Sequence, residues 1–120
     1  MSMIDTPRTQ SLSRVLDLTV FRAGLISSNL ANIDTPGYRT QDVSRFAQQL
    51  EQADSPFSYA GFSPVVSSAA GLTERPDGNN VSLERETLLL AETQMRFNMG
   101  VQFLKEEFHM ISAAIHEGSS

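Results

Sequence analysis

The sequence predicts an all-α fold. Long N- and C-terminal helices pair as a coiled-coil-like hairpin, joined by a short helix and a Ser/Pro/Gly-rich connecting arm. Three observations lead there. Apolar residues recur at alternating four- and three-residue spacing near both ends of the chain, which is a helical stripe and not a strand alternation. Pro and Gly gather between the two striped regions. Hydrophobic residues make up 40% of the 120 positions, too many for a wholly disordered chain, and no Cys is present to staple a loop-rich one.

The N-terminal helix is expected over residues 11–33, with Leu12, Leu16, Ala23, Ile26, Leu30 and Ile33 on its stripe and Thr19 filling one slot. Thr6-Pro7 or Thr9 can open it, because a hydroxyl accepts from free N–H groups and Pro suits the first turn. Pro36 disfavours helical geometry at Thr35, and Gly37 supplies the positive φ of a type II turn across Thr35-Pro36-Gly37-Tyr38. A short helix is expected over 42–52, with Phe46 and Leu50 one turn apart. Residues 54–80 hold three Pro, three Gly and few charges and read as a loop or loosely ordered arm, with an extended piece at 62–66 and a turn at Pro76-Asp77-Gly78-Asn79. The strongest helical pattern covers 82–116, where Leu83, Leu90, Phe97, Val101, Leu104, Phe108, Ile111 and Ile115 repeat the spacing. Ser82 or Asn80 can cap this helix, Glu84 and Glu86 put negative charge at its positive end, and Glu92 with Arg96 forms an i,i+4 pair. The whole chain, 1–120, reads as one domain.

Charge and hydropathy exclude several roles. The formal net charge is −5 and no basic block occurs, which disfavours nucleic acid as the partner. The longest strictly apolar run is Leu88-Leu89-Leu90-Ala91, against the roughly 20 residues of a membrane span. The first 15 residues lack the apolar segment of a cleavable secretory signal.

Both long helices carry a second apolar sector at about 100° per residue. In the first helix Leu18, Phe21 and Leu25 lie nearly opposite the main stripe; in the last, Leu88, Met95, Met99, Phe103 and Met110 do the same. A two-helix hairpin buries one stripe per helix. The second stripes are covered either by the short helix and the arm folding over them, or by other chains. Each large apolar side chain left in water forgoes roughly 1.5–3 kcal/mol, and contiguous exposed apolar surface marks interaction sites. The bifacial pattern favours assembly.

Chemistry finds no foothold. Glu106-x-x-His109 has the spacing used in di-iron bundles, but no second copy and no further carboxylate pair accompanies it, and it flanks a polar sector. There is no nucleophile elbow and no phosphate-cradling Gly-rich loop. The expectation is no catalytic residue, no cofactor and no metal.

The run Ser27-Ser28-Asn29-Leu30-Ala31-Asn32-Ile33-Asp34-Thr35-Pro36-Gly37-Tyr38 ends a helix in small polar residues and a sharp turn, and Asn29 and Asn32, one turn apart, are placed to bond backbone where the chain leaves the helix. As a string it resembles the N-terminal signature of the bacterial flagellar axial proteins of rod, hook and hook-associated type, through Asn29, Leu30, Ala31, Asn32, Thr35, Pro36, Gly37 and Tyr38. The stretch from Asp77 to Glu86, continuing from Ala91 to Phe97, is similar to the start of the C-terminal helix in the flagellar basal-body rod proteins of the proximal rod.

The resemblance implies a structural subunit that self-assembles through its terminal helices, lies in the rod on the periplasmic side and transmits torque. It implies export by the flagellar type III apparatus without a cleavable signal peptide. The partners implied are other copies of the chain, other flagellar rod proteins, the MS-ring/rod adapter FliE and the flagellar export gate. On this reading Leu12, Leu16, Ile26 and Leu30 against Phe97, Val101, Leu104 and Phe108 form the intrachain seam, and Leu18, Phe21, Leu25, Met95, Met99 and Phe103 pack between subunits. The alternative is a soluble helical adaptor or chaperone-like module of a secretion or motility system.

Overall fold

The computed structural model describes residues 6–55 and 63–118. Its elements follow in the order α1 (Pro7–Ala31), β1 (Gln41–Val43), α2 (Phe46–Asp54), β2 (Val66–Ser68) and α3 (Leu83–Gly118). The molecule is a thin rod of 70 × 25 × 18 Å. The 36 residues of α3 account for about 54 Å of that length at 1.5 Å per residue. α1 packs along α3 on one side and carries α2 and β1 on another.

α1 begins earlier than the apolar stripe does, because Thr6 and Thr9 form a reciprocal cap. The Thr9 amide donates to the Thr6 hydroxyl (3.1 Å) and the Thr6 amide to the Thr9 hydroxyl (2.8 Å), with Pro7 in the first turn. The helix ends at Ala31. The turn that follows closes with the Tyr38 amide donating to the Thr35 carbonyl (3.2 Å) and Gly37 at φ 75°.

β1 takes up residues expected to open the short helix. It pairs antiparallel with β2 in the register Gln41↔Ser68, Asp42↔Ser67 and Val43↔Val66. Arg45, at φ 49°, then turns the chain into α2. The strand of the arm sits at 66–68, sharing only Val66 with the expected 62–66, and residues 56–62, Phe62 among them, lie outside the described residues. Gln49 ties α2 to the arm: the Val65 amide donates to its carbonyl oxygen (3.0 Å) and its amide group donates to the Val65 carbonyl (3.1 Å).

The apolar core lies between α1, β1 and α2. Leu18, Val43 and Ala53 are its buried members, with Val15, Leu25, Phe46 and Leu50 packed around them. Of the two residues expected at subunit contacts in this sector, Leu18 is buried within the chain and Leu25 is half-buried. The short helix and strand fold back over that sector of α1, and Leu18 has no exposed surface. Arg22 and Arg96 place their guanidinium groups 4.0 and 5.6 Å from the Phe46 ring centre, so one aromatic ring links all three helices.

The seam between α1 and α3 mixes apolar with small and polar groups. Leu12 and Ile26 are buried, and Leu16, Leu30, Val101 and Leu104 are half-buried, but Phe97 and Phe108 remain 39% exposed on its flank. The middle of the seam is made of small and polar groups. Thr19, Thr93 and Gly100 are buried there, with the Thr19 hydroxyl donating to the Val15 carbonyl of its own helix (2.8 Å). A Cβ at Gly100 would come within 2.6 Å of Leu16 Cδ2, so Leu16 occupies the space of the missing side chain. Close approach at Gly100 leaves no width for an aromatic residue beside it, and the phenylalanines move to the edge.

Candidate functional site

The helix-end motif forms the centre of a polar clasp that fixes how the terminal helices meet. Asn29 is fully buried near the end of α1. Its amide group donates to the Gln41 carbonyl (2.8 Å), and its oxygen accepts from the Gln41 amide (3.0 Å), so one carboxamide meets both backbone groups of one residue. The same oxygen accepts from the Tyr38 hydroxyl (2.9 Å), and the amide group also donates to Glu86 Oε2 (3.2 Å). The motif thus joins α1, β1 and the first turns of α3 through one side chain.

Glu86 belongs to a line of four alternating charges. Arg22 donates from Nε and Nη2 to the two oxygens of Asp42 (2.9 and 3.0 Å), Arg85 donates to Asp42 (2.6 Å), and Arg85 also donates to Glu86 (2.5 Å). Glu86 therefore does not serve the helix end at the surface, as its place in the first turn suggests; it is fully buried. Arg85 on one oxygen and Asn29 on the other offset the penalty that a lone buried carboxylate would carry.

A second set of bonds anchors the end of the arm. Asn79, fully buried, donates to the carbonyls of Asn32 (2.9 Å) and Thr35 (2.8 Å) and accepts from the Val81 amide (2.8 Å) and from Arg75 (2.7 Å). Arg75 donates further to the Val81 carbonyl (2.7 Å) and the Ile33 carbonyl. The Thr40 amide donates to the Asn80 side chain (2.7 Å), which leaves capping of α3 to Ser82, whose hydroxyl accepts from the Arg85 amide (3.2 Å). Residues 75–82 are consequently a lock and not part of a loose arm. Asn32 donates to the Ser28 carbonyl (2.8 Å) and accepts from the Thr35 hydroxyl (3.0 Å), while Pro36 and Gly37 stay exposed on the outer side of the turn.

Asp42 is the clasp's titrating member. Burial raises its pKa, but hydrogen bonds and charge from Arg22, the Val43 amide and Arg85 outweigh that, and the net shift is downward from the ordinary carboxylate value. A depressed carboxyl contributes stability above its unfolded pKa, about 3.9, and loses it as pH falls through the lower folded value. Thermal melts of the wild-type chain are expected to lose stability below about pH 4. In Asp42→Asn that component of the acid limb is expected to be missing, with lower stability at neutral pH. An unchanged acid limb in the variant would count against this assignment.

Outside the clasp, two apolar stripes lie open along α3. Met95, Met99 and Phe103, expected at subunit contacts, are 63%, 50% and 47% exposed, and Leu88 and Met110 continue their line. Leu83, Leu90, Phe97, Phe108 and Ile115 form the other. On α1, Phe21 and Val20 are exposed. Among the described residues no group of three His, Cys, Asp or Glu side chains is placed to hold a metal ion, and no helix is long and apolar enough to cross a membrane. Glu106 and His109 are exposed.

The sequence reading missed Arg22, Asp42, Arg75, Arg85 and the burial of Glu86 and Asn79. One signal was present: Glu86, Thr93, Gly100 and Glu107 stand seven apart, the line a helix turns toward a mate, beside the more conspicuous apolar line.

Two paired helices locked at one end and bearing long uncovered apolar stripes define a helical building block for a larger assembly. The comparisons with known proteins agree. The family model described as flagella basal body rod protein matches residues 25–39, the stretch that ends α1 and forms the turn. The chain is 31% identical over 108 residues to the flagellar basal body rod protein FlgB of Aeromonas hydrophila, covering 78% of this chain and 81% of the relative. It is 28% identical over 120 residues to FlgB of Bacillus subtilis (91% and 93% covered) and 25% identical over 124 residues to FlgB of Salmonella typhimurium (87% and 89%). The chain belongs to the FlgB family of flagellar basal body rod proteins, a structural and not an enzymatic family of the bacterial flagellum.

Proposed function

We propose that this chain is a subunit of the proximal end of the rod, where it polymerises with copies of itself and with other rod proteins and carries torque outward from the membrane-embedded ring. The observation that carries the reading is the pair of exposed apolar stripes on α3, in a chain of a rod protein family. Their large side chains forgo roughly 1.5–3 kcal/mol each while in water, a driving force for association with neighbouring chains. A contact that uses different surfaces on the two sides generates an open helical assembly. In this reading Phe21, Met95, Met99 and Phe103 pack between subunits, and the adapter FliE and the export gate are the neighbours at the proximal end. Passage to the rod uses flagellar type III export.

Met99→Asp tests this. The side chain is half exposed on a helix whose fold does not depend on it, so the circular dichroism of the isolated chain is expected to stay unchanged. Detergent-resistant basal bodies from cells carrying only the variant are expected to lack the rod, and the cells to be non-motile. Motile cells with intact rods would overturn the proposal. Wild-type protein found only in the soluble fraction would favour a free adaptor.

A further inference from the structure

A trough runs along α1 near its N-terminal end, walled by α2 on one side and α3 on the other. It encloses about 350 Å³; Leu12, Val15 and Thr19 form the floor, with Leu50 on one wall and Met99 and Phe103 on the other. The walls differ in charge. Glu51 and Asp54 line the α2 side; Arg96, which also pairs with Glu92 (3.2 Å) on its own helix, lines the α3 side, and Arg8 stands at the α1 end.

The far end of α3 has matching features and, among the described residues, no mate. Among the described residues beyond Leu104, Glu107 and Ile111 are half-buried and the rest, Phe108, Met110 and Ile115 included, are exposed. At about 100° per residue, Phe108, Ile111 and Ile115 form one apolar line. Glu107 flanks that line on one side and Lys105 and His109 flank it on the other. A helix with its acid on one edge and its bases on the other fits a trough with one basic and one acidic wall. The lengths agree as well. The floor from Arg8 to Thr19 spans about 16 Å at 1.5 Å per residue, and the line from Phe108 to Ile115 spans about 10 Å.

We infer that the trough receives the α3 tip of a second copy of this chain, with Phe108, Ile111 and Ile115 on the floor, Glu107 toward Arg96, and Lys105 and His109 toward Glu51 and Asp54. The inference rests on the rod-subunit reading and names the contact through which copies join. Tip and trough are different surfaces, so each copy offers one of each, as an open chain of subunits requires.

The absence of Cys from the sequence makes a clean test. Met99 and Ile115 lie about 24 Å apart on one straight helix, beyond disulfide reach within a chain. A mixture of Met99→Cys and Ile115→Cys chains is expected to form a disulfide-linked pair under mild oxidation. Leu88→Cys, equally on α3 but outside the trough, is expected to give none with Ile115→Cys. In sedimentation, reversing the acidic wall (Glu51→Lys with Asp54→Lys) is expected to weaken self-association about tenfold, and Lys105→Glu with His109→Glu is expected to restore it. Self-association without the Met99–Ile115 link, or without rescue by the second reversal, would overturn the tip contact and leave the rod reading standing. Absence of the protein from basal bodies would count against the rod reading itself.

Discussion

Replacing Asn29 by Ala is expected to cost the isolated chain about 3 kcal/mol and to lower its melting temperature by on the order of 10–20 °C. Four hydrogen bonds end on this one buried carboxamide, two with the backbone of Gln41, one with the Tyr38 hydroxyl and one with Glu86. Removing it strands a buried carboxylate oxygen and two backbone groups at once, and such groups cost more unpaired than the bonds contribute when made. Asn29→Asp keeps the shape but replaces a donor by a second acceptor facing Glu86, so it is expected to be no better than Ala. Denaturant titration followed by circular dichroism measures both. A loss below about 0.5 kcal/mol for Ala would mean the clasp does not hold the helices together.

The second large effect separates the core from the assembly surface. Leu18→Ala opens a cavity among Val43, Ala53 and their neighbours and is expected to destabilise the isolated chain by about 3 kcal/mol. Phe21→Ala, three residues along the same helix and exposed, is expected to change it by less than about 1 kcal/mol. The same denaturant titration reads both. Equal, small effects would place Leu18 back among the subunit contacts, where its position on the helix wheel alone would put it.

That contrast shows where the sequence was legible. The long helices and the turn at Thr35-Pro36-Gly37-Tyr38 follow from local chemistry: spacing, capping hydroxyls, a proline and a glycine. Whether Leu18 faces solvent depends on a strand of three residues folding back over it, and no local pattern announces a strand that short. The clasp was half visible. The place of Asn29 and Asn32 at a helix end marks them as backbone partners. Asn79 and Glu86 read as a turn residue and a first-turn acid, because their partners lie 47 and 57 residues away. Long-range polar pairs leave no periodic trace, whereas apolar faces do.

The two-point pairing of Asn29 with Gln41 has a consequence for the small sheet. A carboxamide that meets both the N–H and the C=O of a strand residue stands where a third strand would otherwise bond, so the border of β1 is already finished by a side chain belonging to a helix. Just before β2, Val65 is met in the same two-point way by Gln49, on the side that faces β1 and α2, whereas the outer border of Val66–Ser68 has no such closure among the described residues. The ribbon is therefore one-sided: it can be lengthened across its width in a single direction, away from the body of the molecule. A small side chain at a helix end gives the sheet a polarity that its two strands alone would not have.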